Sequence, residues 1–189
     1  MGRRYKLYIL LALICILAYM GVIAFNTQVS YAATPQQLKA VFIVNFVKLT
    51  EWPSNVAIFE VGVYKDPEFA TLLTAMLAGK KVRGKDVKVT PQDDASLFAN
   101  CHVIFLPKSV EGELGDVFGK IKDLGDTPAN PAKLTIGETD SFIKAGGIIT
   151  FVETAGAKIK FKVNLVPAKA KGLTISSKLL KLALEVVKQ

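Results

Sequence analysis

Apolar residues recur at Leu38, Val41, Phe42, Phe46 and Leu49, and only Asn45 interrupts the stripe. That is the spacing of one face of a helix. Ile43, Val44 and Val47 carry apolar surface round most of the remaining circumference. A helix apolar on nearly all sides is buried on several, by its own domain or by a second protein. Pro53 disfavours helical geometry at Trp52, so the pattern predicts a helix over Leu38–Leu49 that stops at a Trp52 corner. An indole at such a corner packs its ring and hydrogen-bonds its N–H. The plainer reading is an ordinary core helix with a corner tryptophan. The sharper one makes Val41, Phe42, Asn45, Phe46, Leu49 and Trp52 a partner or dimer surface.

Downstream, helical and strand patterns alternate. Val56–Tyr64 reads as a central strand, Glu68–Leu77 as a helix, and Val87–Thr90 as a short strand. Asp93 or Asp94 caps a short helix to Ala99, followed by strand His102–Leu106 and a helix over Glu111–Leu124. Gly125–Pro131 is a loop. Strand Ala132–Ile136, a short helix Ser141–Ala145 capped by Thr139 or Asp140, and strand Ile148–Glu153 complete the alternation. Such an order predicts a parallel sheet with helices on its faces. The end breaks the rule, because Thr154–Ala157 is too short for a crossover and joins Ile148–Glu153 to Lys158–Leu165 as an antiparallel hairpin. In that last strand Ile159, Phe161 and Val163 alternate with Lys158, Lys160 and Lys162, the pattern of an edge strand guarded by charge. The same lysines also read as a basic docking stripe for an acidic partner or lipid headgroups. Ser176 or Ser177 caps a final amphipathic helix, Lys178–Lys188. The expectation is one compact α/β domain over residues 33–189, with a mixed, mostly parallel sheet flanked by helices and a C-terminal antiparallel hairpin.

The first 32 residues change the picture of location. Arg3, Arg4 and Lys6 precede nineteen uncharged residues, Leu7–Phe25, the layout of an export signal. Ser30-Tyr31-Ala32 would place a cut between Ala32 and Ala33. The apolar run is longer than the usual ~7–15 residues of a signal and reaches the ~17–25 that span a bilayer, so an uncleaved membrane anchor is the alternative. Both readings put residues 33–189 outside the cytoplasm, in the periplasm or its equivalent. Cys15 is filler of the apolar run, which leaves Cys101 as the only cysteine beyond it. An internal disulfide is thereby excluded; Cys101 is a buried inert thiol or an intermolecular bridge.

Charge adds little. The N-terminal Arg3, Arg4 and Lys6 belong to a total of 24 basic residues, and all 16 acids lie beyond residue 32, so the domain carries 21 basic against 16 acidic groups, or +5. These charges read as spread along the chain, with Arg83 the only arginine beyond residue 4. No clustered basic footprint points to nucleic acid. Catalytic chemistry is equally thin. His102 is the one histidine and adjoins Cys101, but neighbouring strand residues point to opposite faces, so the two make no catalytic pair. Metal ligands at a usable spacing and a phosphate-binding loop are both lacking, and no cofactor is implied. The reading is a non-enzyme.

Several motifs fall in an order that resembles one family. Leu38-Lys39-Ala40, Asn45-Phe46-Val47-Lys48 and Glu51-Trp52-Pro53 are followed by Cys101-His102-Val103-Ile104-Phe105 and by Leu134-Thr135-Ile136-Gly137. Phe142 then leads into Gly146-Gly147-Ile148-Ile149 and Phe151. Phe161, Val163-Asn164, Ala168, Gly172-Leu173 and Ile175-Ser176-Ser177-Lys178 close the series. Together these resemble the YfiR family of exported bacterial regulators. The resemblance implies an α/β domain that binds the sensing region of a membrane-bound diguanylate cyclase, holds down cyclic di-GMP and biofilm formation, and works as a homodimer. It also implies disulfide-based redox sensing, from which this chain departs because Cys101 has no partner. The rival expectation is a ligand-binding module that serves a transporter or sensor kinase.

Overall fold

The computed structural model describes residues 33–53, 55–125, 131–155 and 158–188. The expectations for residues 1–32, Ala32 at the cleavage junction among them, lie outside the described residues, as does most of the loop 125–131. Helix α1 (Pro35–Lys48) opens with a reciprocal cap. Gln37 N–H donates to the Thr34 hydroxyl and Thr34 N–H to the Gln37 carboxamide, with Pro35 at the first helical position. Strands β1 (Thr50–Glu51) and β2 (Ile58–Tyr64) follow, then α2 (Pro67–Leu77), whose first turn is capped by Asp66, and β3 (Asp86–Gln92). A 3-10 turn (Ala95–Phe98) leads to β4 (Val103–Phe105), and another (Lys108–Glu113) to α3 (Leu114–Asp123). The remainder is β5 (Leu134–Gly137), α4 (Asp140–Lys144), β6 (Ile149–Thr154), β7 (Lys158–Asn164), α5 (Leu165–Ala170), β8 (Thr174–Ile175), α6 (Ser177–Leu180) and β9 (Glu185–Val187).

Among the described residues seven strands form one sheet in the order β3-β2-β4-β5-β6-β7-β9. The pairs from β3 to β6 are parallel, β6–β7 is the expected antiparallel hairpin, and β9 returns parallel to β7. One face of the sheet supplies Val61, Val103, Phe105, Leu134, Ile136, Phe151 and Phe161 to a core shared with α1 and α2. The opposite face supplies Ile104 and Leu106 to a second core with Phe98, Phe142 and the buried side of α3. β1 and β8 make a separate antiparallel clip. Thr50 lies opposite Ile175, and Ser176 N–H donates to the Leu49 carbonyl at 2.9 Å, which ties the end of α1 to the C-terminal segment.

Three expectations are corrected. The helix over Lys178–Lys188 stops at Leu180, and Glu185–Val187 is a strand. Leu182, Leu184 and Val186 also fit a period of two, and the open edge of β7 offers ladder hydrogen bonds that a solitary helix turn cannot match. Lys158–Leu165 is consequently not the sheet edge throughout, since Lys162, Val163 and Asn164 pair with β9. Lys162 is no free docking cation either, because it sits 2.8 Å from the Asp140 carboxylate and 3.5 Å from that of Glu185. The helix over Glu111–Leu124 divides at Glu113 into a 3-10 turn and α3, and α5 was not legible in the pattern at all.

Candidate partner surface and the ion cluster beside it

α1 lies on the sheet with Ala40, Ile43, Phe46 and Val47 inward. Phe46 is fully buried, its ring centroid 4.9 Å from Phe161 and 5.5 Å from Phe151. It belongs to the core and not to a surface. The outer side of the helix carries Val41, which is 47% exposed, with Phe42, Asn45 and Leu49 half-buried. Phe42 keeps one flank on the core, 5.7 Å from Phe161. The surface the pattern suggested thus narrows to Val41, the free flank of Phe42, and Asn45.

Trp52 does what a corner indole does. Its Nε1–H donates to the Ala132 carbonyl at 2.9 Å and its ring stands edge-on to Phe59 at 5.1 Å. The half-buried outer edge of the indole borders a groove of about 350 Å³ shared with Glu51, Asn55, Phe59, Arg83 and Lys85. Arg83 reaches from this groove to donate to the Thr50 carbonyl.

The other motif residues have structural tasks. Pro53 packs close to Gly172, whose φ of +69° closes α5. Gly146, at φ +99°, ends α4. Asn164 caps α5 by accepting from Val166 N–H, and Ser176 caps α6, of which Ser177 is the exposed first residue. A Cβ on Gly147 would lie 2.0 Å from the Phe142 ring and one on Gly137 would lie 2.3 Å from it, so the two glycines form the seat of that phenyl group. Cys101 is buried, and desolvation pushes its thiol up to about 11. His102 Nδ1 accepts the Glu60 N–H at 3.2 Å, and its ring lies edge-on to Phe59. Burial first, then the Lys133 charge, lowers the His102 pKa. Lys133 itself is wholly buried and donates to the carbonyls of Ala99, Cys101 and Pro131.

One cluster was missed by sequence reading. Lys39 is buried on the sheet-facing side of α1, with its Nζ 2.7 Å from Glu138 Oε1 and 2.8 Å from Glu153 Oε1. Glu138 is itself nearly buried, and its other oxygen accepts the Lys108 N–H at 2.7 Å. Burial alone would lower the Lys39 pKa; the two carboxylates outweigh it and raise the pKa above its ordinary value. Lys39, Lys108, Glu138, Asp140 and Glu153 surround a cavity of about 300 Å³ floored by Phe151. The available signal was a lysine four residues before Ile43 and seven before Phe46, on the buried stripe, where a charge requires a partner. A second cluster ends β2, where Glu113 Oε2 accepts from the Tyr64 hydroxyl at 3.0 Å and from Lys65 Nζ at 2.7 Å. Among the described residues no group of three His, Cys, Asp or Glu side chains is placed to hold a metal ion. No helix among them is long and apolar enough to cross a membrane.

Comparison with known proteins fits this frame. The family model described as YfiR/HmsC-like matches residues 36–184, from the first turn of α1 to the residue before β9. The chain belongs to the YfiR/HmsC-like family. No curated relative matches it. Two solved structures share the fold. A conserved domain protein from Vibrio cholerae O1 aligns with a TM-score of 0.54 at 13% identity, over 80% of this chain and 60% of that one. An ABC domain from Streptococcus pneumoniae, in complex with L-Trp, aligns at 0.52 and 15% identity, over 76% of this chain and 59% of the other. The chain thus spans about three fifths of the length of each solved chain. For this YfiR/HmsC-like chain the motif residues mostly define the frame of the fold.

Proposed function

We propose that this chain is an extracytoplasmic regulator that binds the sensing region of a membrane-bound diguanylate cyclase and represses cyclic di-GMP signalling. The observation that carries the reading is the YfiR/HmsC-like match over residues 36–184, which includes the whole α1–Trp52 corner except its first residue. The mechanism is binding. His102 spends Nδ1 on a backbone N–H and Cys101 keeps a raised thiol pKa, so both groups that invite a catalytic reading serve the fold. Val41, the outer flank of Phe42, and Asn45 form the contact. A domain outside the membrane controls a cytoplasmic output by binding one receptor state more tightly than the other, and a 99:1 bias requires ~5.5 kcal/mol of differential affinity.

The test is cyclic di-GMP in the native cell. Deletion of the gene raises it, and the wild-type gene restores the low level. Val41→Asp alters an exposed position, costs within about 0.5 kcal/mol of stability, and fails to restore repression. Phe46→Asp is uninformative as a contact probe because it unfolds the core. If deletion leaves cyclic di-GMP unchanged, the second reading takes over: a ligand module for a transporter or sensor kinase. That reading is favoured by the Lys39–Glu138 cavity, which joins both signs of charge to the Phe151 floor, and by a fold shared with a domain seen in complex with L-Trp.

A further inference from the structure

The charge that reads as spread along the chain is concentrated near its C-terminal end. Residues 158–188 hold eight lysines and one acid, Glu185, whereas residues 33–157 hold thirteen basic and fifteen acidic groups. The lone acid is exposed but paired, with its carboxylate 3.5 Å from Lys162. This lysine-rich stretch supplies the last edge of the sheet, where β9 follows β7 and α5 packs against both β8 and β9. The same edge is unusually apolar at its surface. Val166, Leu182 and Leu184 are 46%, 64% and 56% exposed, in the same stretch as the exposed Lys169, Lys181 and Lys188.

We propose that the edge built by α5, α6 and β9 docks on the surface of a bilayer that contains anionic phospholipid. Lysine ammonium groups reach the headgroup phosphates while their methylene stems and the neighbouring aliphatic side chains lie along the acyl boundary. Each lysine brought near an anionic surface contributes about fivefold in partitioning. The composition separates a lipid surface from an acidic protein. Protein interfaces favour arginine and aromatic residues and are depleted in lysine, and this edge offers lysine, leucine and valine only among its exposed cationic and large apolar side chains. The proposal stands apart from the receptor reading, because lipid alone is the occupant.

Hydrogen–deuterium exchange on the full-length protein tests it, with vesicles of phosphatidylcholine alone or with about 30% phosphatidylglycerol added, at ionic strengths where screening is weak and where it is strong. A local readout keeps any contribution of the N-terminal segment separate. Exchange within 165–188 is expected to slow several-fold on the anionic vesicles, not on the neutral ones, and to recover at high salt. Lys169→Glu with Lys181→Glu abolishes the protection, and Leu182→Ser with Leu184→Ser reduces it without a change of charge. Lys80→Glu with Lys88→Glu makes the same charge change beside and within β3, at the opposite edge, and leaves the protection in place. Equal exchange on both vesicle types overturns the proposal, as does equal loss in the β3-edge variant. Protection that appears only with native membranes holding the receptor assigns the edge to an acidic protein, and overturns it too.

Discussion

At residue scale, the Gly146-Gly147 pair shows how a motif can be structural in two different ways. Gly146 is needed for its backbone, at φ +99°, whereas Gly147 is needed for the space that Phe142 fills. Gly147→Ala is expected to cost roughly 1–3 kcal/mol through overpacking, seen as a fall in Tm of about 3–10 °C for a domain of this size. Gly115→Ala, within α3 and with nothing within 4 Å of the added carbon, should instead stabilise by roughly 0.5–1 kcal/mol. Equal effects of the two changes would refute the seat argument. The sequence signalled a turn here and could not show which glycine faces a phenyl ring, because the ring arrives from α4 only once the helix folds back on β5 and β6.

At element scale, α1 is held by more than apolar contact. Its Lys39 anchors the helix to Glu138, just after β5, and to Glu153 in β6. Lys39→Met leaves the Glu138 carboxylate buried without its cation, a loss of roughly 3–5 kcal/mol. Urea midpoints of this variant should be far below wild type, and those of Lys39→Met combined with Glu138→Gln closer to it; an equal gap in both would mean that lost packing, not the charge, is responsible. The helix itself was legible from its period, although it ends at Lys48, ahead of β1 and not at the Trp52-Pro53 corner. Its orientation was not, because a helix apolar nearly all round gives no unique inward face. Contact with Phe151 and Phe161 chose Phe46 over Val41. β9 was missed for the related reason that a three-residue strand is defined by its neighbour's free edge.

At the scale of the whole molecule, stability is bounded on both sides of neutral pH. Lys65 with Tyr64 holds Glu113 below the usual carboxylate range, Lys39 does the same for Glu153, and Lys162 for Asp140. Stability from these groups is present above their unfolded values and is lost as pH falls through the lowered folded ones; the three carboxylates are largely exposed, so each share is small. His102, held neutral by burial, adds to the acid limb below about 6.5. On the alkaline side an unfolded Cys101 ionises near 9 while the folded thiol keeps its proton to about 11. Stability therefore falls across that window by roughly 2–3 kcal/mol. Thermal unfolding against pH should show a plateau near neutrality with both limbs, and Cys101→Ala should flatten the alkaline one; an unchanged limb would place the cause elsewhere. What the sequence by itself determined is local in origin: the strands and helices with strong periods, their caps and breakers, the hairpin fixed by a connection too short to cross over, and the family order of motifs. Only the tertiary structure decided which side of α1 is free, that β9 closes the sheet, and that Lys39 finds two carboxylates more than ninety residues away. Those depend on contacts between residues distant in the chain, where the partner's geometry, and not the residue's own preference, sets the free energy.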